Sequence, residues 1–350
     1  MATETGTEKG HPSAGVVSNA LRGWNLDALV AALSLLMMFG IALDFRSHAA
    51  GISFEEEGFF TPEHVFFYTA FLCIAGVIGT AVFVNKRKTG SWRTAVPQGY
   101  ALGLAGVAIF GFGGFGDYLW HSAFGFEEGI EGLTSPTHLM LATGAVLFFS
   151  SPLRSALRRS ERPSGFGFVP VLIPMSLVLT IIALFTLYVN PVIDSTANVG
   201  TGQGDALGVV SLFFFPALLV GGALVLVSRF DLPMGALAFT FAVPALLSAP
   251  ISGHYFLALP AIAAGLVGDI VNGYYLSRSE SVLPLRLFGT VVPATFVVGY
   301  LAVVEVVWGI TWTIHIWAGT VFLAGAGGLL LTYVVVSDGS TKASRFGSET

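Results

Sequence analysis

Charge and cysteine are scarce in this 350-residue sequence. Only 11% of its residues are Asp, Glu, Lys or Arg and 54% are hydrophobic, against roughly 25% charged in an ordinary soluble domain. Such a chain cannot cover a globular surface with polar groups, so lipid must be the solvent for most of it. The single cysteine, Cys73, excludes an intrachain disulfide and a thiolate metal cluster, and reads as a small buried apolar filler. No lysine falls inside an apolar run, which argues against a retinal Schiff base, and no basic, aromatic-rich surface is present for nucleic acid. The first 24 residues lack the apolar centre of a cleavable signal peptide and read as a disordered polar tail.

What is present is a series of ten apolar runs, each long enough to span a bilayer as a helix. They fall near residues 26–46, 63–85, 95–120, 137–153, 167–189, 206–228, 233–251, 254–276, 286–309 and 314–336. The predicted fold is therefore all-α, a polytopic membrane helical bundle of about ten transmembrane helices. Basic residues such as Lys86, Arg87, Lys88, Arg158, Arg159, Arg229 and Arg278 occupy alternate connections, while Arg46 alone lies on the other side. The positive-inside rule then makes both termini cytoplasmic and assigns the acidic connections, with Glu55, Glu56, Glu57, Glu127, Glu128, Glu131 and Asp194, to the outer face. The expected organisation is a cytoplasmic tail (1–24), a pair of duplicated hairpins over 25–153 (25–85 and 94–153), a six-helix membrane bundle over 166–336, and a second cytoplasmic tail (337–350).

The duplication is visible at residue level. Residues 40–68 read GIALDFRSHAAGISFEEEGFFTPEHVFFY, and residues 113–140 read GGFGDYLWHSAFGFEEGIEGLTSPTHLM. Each stretch ends one apolar run with Asp-x3-His, crosses an acidic loop, and opens the next run with Thr-Pro or Ser-Pro shortly before a histidine. On a helix, residues four apart share a face, which pairs Asp44 with His48 and Asp117 with His121. A hydroxyl N-cap followed by a first-turn proline puts His64 and His138 in the first turn of each returning helix. Three potential metal ligands therefore converge at the mouth of each hairpin, and the two hairpins read as parallel repeats.

Two imidazoles and a carboxylate suit copper(II), zinc or non-haem iron, and the positive end of a helix keeps an N-terminal imidazole neutral, as ligation requires. An Asp44–Arg46 ion pair is the structural alternative at the first hairpin. His254, Glu305 and His315 are weaker candidates, because each stands alone near the outer end of its span. Six of the seven histidines thus gather at the outer face, with only His11 elsewhere. The GFGGFG run before Asp117 follows no strand and reads as close helix packing. Asp269 lies about 22 Å along a helix from His254 and is expected to pair with Asn272 or a neighbouring helix.

The segments Asp117-Tyr-Leu-Trp-His121 and Ser135-Pro136-Thr137-His138, with LMLATGAVLFF after them, resemble the C subunit of particulate methane and ammonia monooxygenases. The first hairpin, with Thr61-Pro62-Glu63-His64, is similar to it too. The resemblance covers one hairpin of about 30 residues, present twice, and implies copper ligation by Asp117, His121 and His138 and by Asp44, His48 and His64. The resulting expectation is an integral membrane metalloprotein of the plasma membrane, with copper sites at the outer face serving copper-dependent, monooxygenase-like oxidation or copper handling. Other membrane subunits, an external electron donor or further copies of the chain would be its partners. A membrane-embedded zinc hydrolase acting on lipid, with an outer carboxylate such as Glu131 as base, is the main alternative; a haem-binding protein and a transporter are others.

Overall fold

The computed structural model describes residues 21–49, 59–125, 130–193, 202–276 and 281–335, and among them every regular element is helical. The helices are α1 (Gly23–Ala49), α2 (Pro62–Thr89), α3 (Ala101–Phe124), the short α4 (Ile130–Thr134), α5 (Pro136–Phe149), α6 (Ser151–Ala156), α7 (Val169–Phe185), α8 (Gly202–Arg229), α9 (Ala236–Ser252), α10 (Leu259–Val271), α11 (Leu283–Val307) and α12 (Ile314–Val335). Among the described residues nine helical segments are long and apolar enough to cross a membrane, α5 and α6 together making one of them. The other predicted span, α9, has 17 residues, a length of about 25 Å against a hydrocarbon thickness of about 30 Å. The acidic runs Glu55–Glu57 and Glu127–Glu128, Asp194, residues 1–20 of the N-terminal tail and residues 336–350 lie outside the described residues.

Local signals set the hairpin ends. Thr61 and Ser135 sit just before α2 and α5, accept hydrogen bonds from the His64 and His138 backbone N–H groups, and are each followed by proline at the first helical position. Gly90 closes α2 at φ 73°, where a β-carbon would be strained. After α9 the chain reverses at Gly253 (φ 74°), with Pro250 accommodated inside the last turn of the helix.

The hairpin carrying the second motif is packed backbone to backbone. A β-carbon at Gly144 of α5 would fall 2.7 Å from the Phe110 nitrogen and 2.8 Å from the Gly106 carbonyl oxygen of α3. Gly113, within GFGGFG, lies against Met140 and Leu141, so the small-residue run does serve helix packing. Helix α7 ties the hairpins to the rest. Leu177, Ile181 and Leu184 enter the core of the hairpins, while Val171, Met175 and Leu179 enter the core of the C-terminal helices.

Three polar or reactive side chains within the helices show how the sequence is used. Asp27, a charged residue in an apolar run, is buried inside α1, which begins four residues earlier, at Gly23. Its carboxylate accepts from the Tyr100 hydroxyl at 2.7 Å and pairs with Arg159, whose guanidinium also lies over the Trp24 ring. Asp269 does pair with a neighbouring helix, but through backbone: the N–H groups of Leu237 and Ala238, at the start of α9, each donate to it at 3.0 Å. Those are groups with no carbonyl partner within their own helix. Cys73, expected to be buried, lies on the exposed face of α2, where an apolar side chain meets lipid at little cost.

Candidate metal centres

The last turns of α1 and the first turn of α2 bring Asp44, His48 and His64 together, with one donor atom from each lying within 4.8 Å of the others. His64 Nε2 is 3.2 Å from Asp44 Oδ1, and His48 Nε2 is 3.8 Å from Asp44 Oδ2. The other ring nitrogen of His64, Nδ1, donates to the Phe59 carbonyl at 2.5 Å. Asp44 Oδ1 is buried and accepts no hydrogen bond. Ser47, between the first two ligands, donates to Glu63 at 3.0 Å. Arg46 is exposed, and no Asp44–Arg46 pair forms among the described residues, so that structural alternative is not what holds Asp44.

At the other hairpin, α3 and α5 bring Asp117, His121 and His138 together within the same limit. Asp117 Oδ1 is 3.6 Å from His121 Nε2 and 3.3 Å from His138 Nε2. Both imidazoles are tied through Nδ1 to backbone carbonyls, His121 to Gly125 at 3.1 Å and His138 to Gly132. The Thr137 hydroxyl donates to Asp117 Oδ1 at 2.8 Å. Asp117 is 2% exposed and His138 27%, so the cluster is open on the side of His138.

These contacts determine which atoms remain available. A carbonyl only accepts, so an imidazole bonded to one through Nδ1 carries its proton there and, when neutral, presents a lone pair on Nε2. At His64, His121 and His138 that lone pair faces a carboxylate oxygen at 3.2–3.6 Å, a contact that is relieved by a metal ion or a shared proton between the two acceptors. Donor atoms on a metal bound at about 2.0–2.1 Å in tetrahedral geometry stand about 3.3 Å apart, so the observed spacings fit a three-donor metal seat. The carbonyl bonds also orient the rings, as outer partners of metal-binding histidines do. The donor set and its orphaned Asp44 oxygen therefore fit a metal ion.

The two clusters are neighbours. The Phe59 ring lies 4.9 Å from that of His64 and 6.2 Å from that of His121, which limits the separation of these imidazoles to about 11 Å. Tyr68, one turn beyond His64, has its ring 6.1 Å from it and stands within electrostatic reach of both Asp44 and Asp117. Phe59, Tyr68 and Thr137 were not singled out from sequence. The signals available were adjacency to a ligand for Thr137 and helical spacing from His64 for Tyr68.

The remaining candidates do not assemble. Among the described residues no third group of metal-donor side chains meets the same limit. His254 is packed edge-on to Phe256 and Trp308, Glu305 accepts from the Ile310 backbone N–H at 2.8 Å, and His315 is exposed. Glu131 is exposed on α4 and belongs to neither cluster. Compared with protein families, curated proteins and solved structures, the chain matches none.

Proposed function

We propose that this chain is an integral membrane metalloprotein whose two Asp/His/His centres hold copper for a copper-dependent oxidation. The observation that carries the reading is the shared design of the clusters: in each, an imidazole pinned by a backbone carbonyl through Nδ1 turns its Nε2 onto a carboxylate oxygen. The local likeness to the C subunit of particulate methane and ammonia monooxygenases supports copper over zinc, and the repeated motif supports a hairpin duplicated within one chain. The arrangement of basic residues supports cytoplasmic termini and centres at the outer face of the plasma membrane.

Asp44, His48 and His64 would hold one ion, and Asp117, His121 and His138 the other. Bound copper supplies a one-electron couple and an electron-withdrawing centre. The chain's own part is to fix the donors and limit water. Thr137 fixes the Asp117 carboxylate, the loop carbonyls of Phe59, Gly125 and Gly132 fix the rings, and the apolar hairpin walls exclude solvent from Asp117. Electrons would come from an external donor or a partner subunit.

The test is metal content by mass spectrometry with EPR, on protein purified in mild detergent, alongside His64→Ala and His138→Ala. Two copper ions per chain, one lost from each variant, are expected. Stoichiometric zinc would transfer the centres to hydrolysis of lipid, and no metal after reconstitution would overturn the reading and leave the histidines as structural groups at helix ends.

A further inference from the structure

The two centres differ in the residue just before the histidine that opens each returning helix. On α5 it is Thr137, whose hydroxyl turns inward to Asp117. On α2 it is Glu63, a partly buried carboxylate next to His64. Glu63 accepts at 3.0 Å from the Ser47 hydroxyl. Residues three apart on a helix are neighbours, so Ser47 shares a face of α1 with Asp44, and it directly precedes His48. The Ser47 bond therefore holds the Glu63 carboxylate at the rim of the first cluster, whose His48 is 37% exposed. Its charge reaches Asp44, His48 and His64 alike.

Ser47 occupies one of about four lone-pair positions of that carboxylate, and a glutamate side chain is flexible enough to exchange a hydroxyl for an ion without moving α2. Asp44 Oδ1, buried and without a hydrogen bond, is the neighbouring donor. Aromatic rings separate the two centres. Phe59 lies against both His64 and His121, and Tyr68 rests on α3 at Gly114, where a β-carbon would come 2.8 Å from its ring. Each centre therefore draws on its own hairpin for donors.

Resting on the metal-centre reading, we infer that Glu63 is the fourth metal ligand of the first centre, leaving Ser47 when the ion binds. Asp44, His48, His64 and Glu63 then form a closed set whose two carboxylates balance a divalent ion. Where Glu63 stands, the second hairpin has Thr137, so Asp117, His121 and His138 keep a position open for an exogenous ligand. A closed set suits an ion that is stored or passes electrons, and an open one suits an ion that binds a reactant.

The experiment uses the full chain in mild detergent, with copper(II) and azide as probes and one centre at a time: His138→Ala leaves the first centre, His64→Ala the second. Chelator competition gives the affinity, while EPR and the azide charge-transfer band report the coordination. In the His138→Ala protein, Glu63→Gln should weaken copper binding at least about tenfold and change the EPR hyperfine splitting. Ser47→Ala, which frees the carboxylate, should hold copper as tightly as before or more tightly. Azide should give its band in the His64→Ala protein, and in the His138→Ala protein only once Glu63→Gln is added. A bond that merely clasps the hairpin mouth would make both substitutions weaken binding alike; that result, or an azide band at the first centre with Glu63 in place, would overturn the inference. Copper bound there with an affinity unchanged by Glu63→Gln would remove Glu63 from the site and keep the metal-centre reading, whereas no copper in any variant would sink both.

Discussion

The Thr137 hydroxyl donates to Asp117 Oδ1 at 2.8 Å, whereas Glu63, which holds the same place just before the other hairpin's histidine, accepts from Ser47 and leaves Asp44 Oδ1 without a hydrogen bond. The two clusters share ligand types but not their support. One carboxylate is held in place before any ion arrives, and the other is not.

Thr137→Val should therefore weaken metal binding at the α3/α5 cluster by about 10- to 100-fold, the usual effect of losing an outer partner of a ligand. Binding at the α1/α2 cluster should not change. Competition against a chelator of known affinity, with each site isolated by His64→Ala or His138→Ala, reads both values.

Gly144→Leu should separate α3 from α5, because even the first side-chain atom would strike the Phe110 nitrogen and the Gly106 carbonyl. Overpacking of this kind costs about 1–3 kcal/mol. A lower unfolding temperature in detergent is expected, with selective loss of the ion held by Asp117, His121 and His138, whose ligands are divided between these helices.

Asp269→Leu should destabilise the fold by about 1–3 kcal/mol, since the Leu237 and Ala238 N–H groups lose their acceptor. Asp269→Asn, which keeps a carbonyl oxygen, should cost less. Metal content should stay at the wild-type level in both, which thermal unfolding and elemental analysis together would verify. A role for Asp269 in proton movement would instead make the Asn variant as defective as the Leu variant in activity.

Arg159→Ala should be strongly destabilising, by about 3 kcal/mol or more, because it leaves the Asp27 carboxylate buried with neutral hydroxyl partners and no cation. Adding Asp27→Asn should recover part of the loss. Thermal melts of the two single variants and the double variant measure that coupling.

Hydropathy located the helices well, because a bilayer requires about 20 apolar residues in a row whatever the rest of the fold does. It was silent on which faces are buried. Lipid and protein core are both apolar, so Cys73 facing lipid and Ile74 facing the core carry no contrasting pattern around them. The clusters were legible because their ligands are close in sequence and obey helical spacing. The pairing of Asp27 was not legible because its partners, Tyr100 and Arg159, lie 73 and 132 residues away. Tyr68 was missed for a related reason: what makes it notable is Gly114 on another helix, together with the lack of a hydrogen bond, and neither is a property of the local sequence.

The closeness of the ligands along the chain also bears on biogenesis. Each set spans little more than 20 residues, so each centre can close as soon as its own helical pair has entered the bilayer, while the later helices are still being synthesised. The seat of Tyr68 on Gly114 joins α2 to α3 and so needs the third span as well. A chain truncated after residue 89 should thus already capture one ion.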